Sequence, residues 1–185
     1  MEARKLLYTA AEFETIADQP QNRDRLLELI EGEIVEKVPT QKHGMAAGNI
    51  YGHLWKWVRD KRSGRVVMEV RYQAPDDRRN VRIPDVSYLA GADPAVERGS
   101  VPRMPDLAVE VKSPDDGLKE MRAKARYYLA HGTRLVWLVV PEQRFVEVYT
   151  PDTERIVFEG ETLDGGDVLP GFQMTVAEVF EDTAR

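Results

Sequence analysis

The sequence predicts a mixed α/β fold in which helices flank a central sheet, and three observations carry that prediction. Apolar residues recur at helical spacing over about 42–62 and again over about 117–131. Short alternating or nearly continuous apolar runs lie between and after these stretches, as in half-buried and fully buried strands. Interspersing such elements leaves each helix an apolar stripe that can cover a sheet face. At 185 residues, 42% hydrophobic and 31% charged, the chain reads as one domain over 1–185 with its own core.

The elements follow in order. TAAEFETIA (Thr9–Ala17) predicts a short helix with Thr9 as N-cap and Glu12 at capping-box spacing. RLLELIEGEIVEKVP predicts an N-terminal β-hairpin: Leu27 and Leu29 alternate with polar neighbours, Glu31-Gly32 turns, and Ile34 to Val38 returns. From Lys42 to Arg62, Ala47, Ile50, Leu54, Trp57 and Val58 share one helical face, with Gly64 as a stop. RVVMEVRYQ and VRIPDVSYLA predict two strands that pair across the polar turn PDDRRN. Gly91 to Pro105 reads as loop, and DLAVEVKSP as a short strand ended by Pro114.

A second helix runs from Gly117 to His131, capped by Asp115 or Asp116 and terminated by Gly132. RLVWLVVP is apolar enough for a strand buried on both faces. FVEVYT and RIVFEG extend the sheet before GGDVLPGF and a short helix, TVAEVF. Trp55, Trp57 and Trp137 all lie on apolar stripes and are assigned to the core rather than to base stacking.

Composition removes whole classes of function. Without cysteine there are no disulfides, thiolate metal sites or cysteine nucleophiles, and a cytoplasmic setting is expected. MEARKLLYTAAEFETIA lacks the apolar core of a signal peptide, and no run reaches the ~18 apolar residues of a membrane span. A net charge of −6 counts against a protein that coats nucleic acid indiscriminately. Two local basic patches remain: Arg59, Lys61, Arg62 and Arg65, then Arg78, Arg79 and Arg82. The second immediately precedes Asp85, which makes it the better candidate for phosphate contact.

The chemistry concentrates between Asp106 and Lys112. Alternate strand residues share a face, so Leu107, Val109 and Val111 point one way and Asp106, Ala108, Glu110 and Lys112 the other. This sets a carboxylate beside an ammonium at the strand's end, and Pro114 then opens the sheet edge where clefts form. A hard divalent ion needs more than one carboxylate. Asp106 is too distant, because four strand residues at ~3.3 Å place it about 13 Å from Glu110. Asp85 begins an adjacent strand and can face Glu110 across a gap of about 4.8 Å. The three histidines, His43, His53 and His131, have no zinc-ligand spacing.

Pro84-Asp85 followed by Glu110-Val111-Lys112 resembles the signature of the PD-(D/E)xK nucleases. Longer blocks are similar to the Uma-type restriction endonuclease family within that superfamily: ELIEGEIVE, RIPDVSYLA, PDLAVEVKSPDD, KARYYLAHGTRLVWLVVPEQRFVEVYT and LPGF, spanning roughly Leu26 to Phe180. The resemblance implies a restriction endonuclease-like sheet and Mg²⁺-dependent hydrolysis of DNA phosphodiester bonds, with Mn²⁺ able to substitute. Asp85, Glu110 and the backbone carbonyl of Val111 would hold the ion, and Lys112 would act on the attacking water and the phosphoryl charge.

Relatives commonly carry an apolar residue where Lys112 stands, and there a basic residue of the next helix, here Lys124, would serve. The acidic residue that the superfamily often places on the preceding helix has no good equivalent, since Asp60 lies far along it; Glu33 or His43 could complete the site. Cutting both strands of a duplex favours a homodimer or higher homo-oligomer. The competing class is a non-catalytic DNA-binding or assembly protein that keeps the nuclease fold.

Overall fold

The structure, a computed structural model, describes residues 6–183. The start of the segment read as lacking an export signal lies outside the described residues. Helix α1 (Ala10–Ala17) has the expected capping box: Glu12 N–H donates to Thr9 Oγ1 at 3.3 Å, and Thr9 N–H donates to the Glu12 carboxylate at 2.8 Å. After a 3₁₀ turn at Pro20–Asn22, β1 (Leu26–Ile30) and β2 (Glu33–Lys37) form the hairpin. Its two turn residues both take positive φ, 52° at Glu31 and 88° at Gly32, the geometry that matches strand twist in a tight hairpin. Leu27 and Leu29 pack against Ala10, Phe13, Ala17 and Val81, which docks one hairpin face on α1.

Helix α2 (Gln41–Lys61) starts at Thr40, whose hydroxyl accepts from His43 N–H, and ends at Arg62 in the left-handed region. Gly64 follows at φ 61°, and any side chain there would strike the Leu89 carbonyl and the Tyr88 ring, so this close approach requires glycine. Next come β3 (Arg65–Met68), β4 (Val86–Leu89), β5 (Leu107–Val111), α3 (Leu118–Ala130), β6 (Leu135–Val140), β7 (Phe145–Tyr149) and β8 (Glu154–Phe158). The six strands β3 to β8 form one sheet in sequence order, antiparallel except for β5 and β6, which α3 connects in parallel. β9 (Thr162–Asp164) and β10 (Gln173–Thr175) pair separately and lead into α4 (Val176–Val179).

Strand parity distributes the core. Leu107, Val109, Val111, Trp137 and Val139 face α2, whereas Ala108, Val136 and Leu138 face α3. β6 is buried along its whole length, as its apolar run predicts. Among the described residues, no helix is long and apolar enough to cross a membrane.

Four expectations change. The strand predicted over RVVMEVRYQ stops at Met68, because Glu69 turns to φ 54°; beyond that break Tyr72 pairs only locally, with Arg82 and Val101. The N-cap of α3 is Gly117 rather than Asp115 or Asp116, since the Asp116 carboxylate is taken by Ser113 N–H at 2.7 Å. Trp55 is not core: it is 48% exposed beneath the Arg59 guanidinium, while Trp137 is fully buried. The β9–β10 pair replaces what reads in sequence as an irregular tail.

Candidate active site

The register of β4 and β5 places the key carboxylates. Val86 pairs with Val109, and one step further Asp85 stands opposite Glu110, its N–H bound to the Val109 carbonyl at 3.0 Å. By parity both side chains leave the sheet on the α3 side, next to Ala108 and Ser87. Each is only 3% exposed. The hairpin covers this end of the sheet, tied to the strand approach by the Leu29–Val81 bridge. Its outer face, bearing Leu26, Glu28, Ile30 and Lys37, then forms one wall of a cleft of about 720 Å³. Asp85, Glu110, His43, Arg82 and Lys124 line the same cleft.

The buried charges interlock. The Lys37 ammonium reaches Asp85 Oδ1 at 2.6 Å, Glu110 Oε2 at 3.3 Å and the Ile83 carbonyl at 2.9 Å. Asp85 Oδ2 accepts from Val111 N–H at 2.6 Å and meets His43 Nε2 at 3.0 Å; a carboxylate only accepts, so His43 carries its proton on that nitrogen. Glu110 Oε1 accepts from the Tyr128 hydroxyl at 2.7 Å and pairs with Lys124 at 2.9 Å. Lys124 also bridges to Glu28, which is 3% exposed and accepts from Ile83 N–H at 2.6 Å. Lys124 and Tyr128 reach Glu110 together because i and i+4 share a helix face.

Three carboxylates against two ammonium groups leave the cluster one negative charge in excess, and that excess falls unevenly. Burial pushes the Asp85 carboxyl up, but the Lys37 ammonium and the His43 hydrogen bond outweigh it and hold the group below the usual carboxylate range. Glu28 is likewise lowered, by Lys124 and Lys37 against burial. Glu110 goes the other way: burial raises it, and repulsion from Asp85 and Glu28 prevents the two lysines from bringing it back. For Lys37, burial favours the neutral amine, yet Glu110, Asp85 and Glu28 prevail and raise it.

Of the residues expected from sequence, Asp85, Glu110 and Val111 come together. Lys112 does not join them. Its ammonium lies 3.2 Å from Glu142 and 3.0 Å from the Ser113 carbonyl, because the β6–β7 turn brings Glu142 over the end of β5 while Lys124 and Tyr128 fill the space beside Glu110. Two ammonium groups do meet Glu110, those of Lys37 and of Lys124, the second being the alternative that the family resemblance offered. Asp106 is a strand-start residue, accepting from Ala90 N–H at 2.8 Å and pairing with Arg103.

His43 touches Asp85, whereas Glu33 is not among the residues lining the cleft. Glu28 and Lys37 were missed, since alternation assigns them to a solvated hairpin face. The available clue was that Leu26, Ile30 and Val35 share this face, too many apolar residues for one left in water.

Comparison with protein-family models matches residues 10–177 to the model described as "Uma2: Putative restriction endonuclease". The chain belongs to the Uma2 family. Its fold is similar to the crystal structure of a putative nuclease belonging to DUF820 from Anabaena variabilis, with a TM-score of 0.73 at 23% identity, covering 83% of this chain and 89% of that one. That likeness supports the restriction endonuclease-like architecture of a Uma2 domain. The cryo-EM structure of a DrdV–DNA complex gives a TM-score of 0.37 at 18% identity over 72% of this chain and 78% of that one, too slight to carry an argument. No curated protein matches.

Proposed function

We propose that this Uma2 chain is an Mg²⁺-dependent endonuclease acting on DNA phosphodiester bonds, with Mn²⁺ an acceptable substitute. The observation that carries this reading is the convergence of Asp85 and Glu110, buried on adjacent strands, upon a single positive centre in a cleft. That centre is the Lys37 ammonium, surrounded by oxygens of Asp85, Glu110 and Ile83. An all-oxygen donor set of this kind fits a hard cation that keeps several waters. Among the described residues, no group of three or more His, Asp or Glu forms a ready-made cage, so the ion would rest on two carboxylates, backbone carbonyl and water.

Asp85 and Glu110 would hold the ion. Val111 can contribute its carbonyl, which leaves the strand on the same edge as the N–H that Asp85 binds. The bound metal would supply Lewis-acid polarisation of the phosphoryl group and a lowered pKa for the attacking water. Lys124 then takes the role expected of Lys112: its ammonium, held between Glu28 and Glu110, is placed to orient the water and to offset charge growing on the phosphoryl oxygens. Glu28 keeps Lys124 in place, and His43 with Val111 N–H keeps Asp85 oriented. Cutting both strands needs two such sites, which a two-fold dimer supplies.

The test is nicking of supercoiled plasmid with and without Mg²⁺. Wild type should relax the plasmid only with the ion, and Asp85→Asn should lose both cleavage and calorimetrically measured Mg²⁺ binding. Equal activity of the two proteins would remove Asp85 from the mechanism.

A further inference from the structure

Among the described residues, Arg82 is a buried cation with which no anion pairs. Its backbone is fixed by two hydrogen bonds with Tyr72, at 2.8 and 2.9 Å, three residues before Asp85. The residue is 6% exposed and lines the cleft beside Asp85, Glu110 and Lys124. Its guanidinium carbon lies 4.6 Å from the centre of the Tyr127 ring. Among the described residues no carboxylate pairs with it, and its buried Nε has no hydrogen-bond partner.

Among the described residues, every other strongly buried charge near the cleft touches a partner of opposite sign. Lys37 and Lys124 have two carboxylates each, and Glu28, Asp85 and Glu110 each have a lysine. Asp77, the carboxylate beside Tyr127, is occupied by the Tyr127 hydroxyl, the Asn80 amide and Arg79 N–H. Arginine cannot escape the cost of burial by deprotonating, as a lysine could. Stacking on Tyr127 offsets part of that cost and fixes the plane of the fork. What remains is a rigid, desolvated pair-forming cation beside the proposed catalytic carboxylates, where an incoming anion would otherwise meet net negative charge.

We propose that Arg82 is the phosphate-binding residue of this cleft, gripping non-bridging oxygens of a nucleic-acid phosphodiester next to Asp85 and Glu110. The assignment rests on the nuclease reading for the identity of its ligand. The fork supplies two parallel N–H donors to a phosphoryl group, a match that a lysine ammonium lacks. Arg78 and Arg79 are exposed and do not line the cleft, which narrows the basic patch to its one buried member.

The test needs no cleavage. The arginine Nε–Hε signals of the ¹⁵N-labelled full chain are recorded without divalent ions, and Arg82 is assigned from the signal missing in Arg82→Lys. A short DNA duplex should shift that signal at concentrations at which inorganic phosphate does not. In fluorescence anisotropy, Arg82→Lys and Arg82→Gln should each bind the duplex roughly tenfold more weakly than wild type while unfolding at similar temperatures. Absence of a shift with duplex overturns the proposal, as does a response to inorganic phosphate alone, which would mark a free-phosphate site. Duplex affinity equal to wild type in both variants also overturns it. A shift with duplex in a protein that never nicks plasmid supports Arg82 and refutes the nuclease reading, so the two failures are separable.

Discussion

Glu110 and Glu147 occupy the same row of the sheet. Leu138 of β6 pairs in register with Glu110 on β5 and with Glu147 on β7, and both carboxylates are 3% exposed on the face covered by α3. Each has a tyrosine hydroxyl and a cation from α3: Tyr128 and Lys124 for Glu110, Tyr149 and the Arg122 fork for Glu147. Their acidities nevertheless move in opposite directions. Burial raises Glu147, but Arg122 and Tyr149 overcome it and the group ends below the usual range. Glu110 ends above it: deeper burial raises it first, Asp85 and Glu28 add to that, and its lysines are divided among three anions.

Local hydrogen bonding is therefore not what separates a structural carboxylate from a candidate catalytic one. Glu147 belongs to a closed unit in which every charge is balanced. Glu110 belongs to a cluster with excess negative charge facing a cleft, the condition a cation from solution would relieve.

The largest effect should come from exchanging which cation is lost. Lys124→Ala should lower Mg²⁺-dependent cleavage by about 10²–10⁴, the range for losing one charge-stabilising or proton-transferring group. Arg122→Ala, which strips the structural glutamate instead, should leave the cleavage rate within a few-fold. Lys112→Ala should resemble Arg122→Ala, because its ammonium is held by Glu142. Single-turnover cleavage under saturating Mg²⁺ measures all three. If Lys112→Ala is the variant that fails, the ammonium role returns to Lys112 and the observed pairing with Glu142 is not the active arrangement.

A second effect should be smaller and opposite in sign. Lys37 holds the oxygens that a divalent ion would take, so the two positive centres compete. Lys37→Met keeps an apolar stem but removes the ammonium, and Mg²⁺ affinity should rise about tenfold, equivalent to about 1.4 kcal/mol. Calorimetric titration in the absence of DNA reads this directly. Unchanged or weaker binding would place the ion elsewhere and leave the cluster a structural one like that around Glu147.

The sequence makes one half of this comparison legible and hides the other. Strand parity puts Asp85 and Glu110 on one face of neighbouring strands, and the register that pairs Val86 with Val109 then sets them opposite each other. The element order as far as β8, the hairpin turn and the extent of both long helices follow from periodicity and turn residues. Parity fixes the face of Lys112 but not the direction of its long side chain at the strand end, where the β6–β7 turn supplies Glu142. Glu28 and Lys37 were hidden for a different reason. The apolar Leu26, Ile30 and Val35 mark their face as covered, but what covers it depends on how a two-stranded hairpin docks over another sheet, a long-range contact.

Stability against pH separates the two glutamates without any assay of function. Because Glu110 is raised, the fold favours its neutral form; that contribution is complete below the ordinary carboxylate value and is lost as pH rises through the raised one. Glu147 is lowered, so its ionised form stabilises the fold above the ordinary value, and the contribution is lost as pH falls through the lowered one. Glutamine imitates a protonated glutamate that still accepts the tyrosine hydrogen bond. At neutral pH, Glu110→Gln should unfold at the same temperature as wild type or higher, since Lys37 and Lys124 keep Asp85 and Glu28 as partners.

Glu147→Gln should instead unfold earlier. The Arg122 side chain is 40% exposed, so solvent screens the pair and a discounted loss of about 1 kcal/mol is expected, roughly 2–4 °C for a chain of this size. Thermal melts across pH 4 to 8 supply the control: Glu147→Gln should flatten the loss of stability toward acid, and Glu110→Gln the loss toward neutral pH. Parallel curves for both variants would mean that the two carboxylates are equally satisfied, and the physical distinction between the cleft and its structural neighbour would fail.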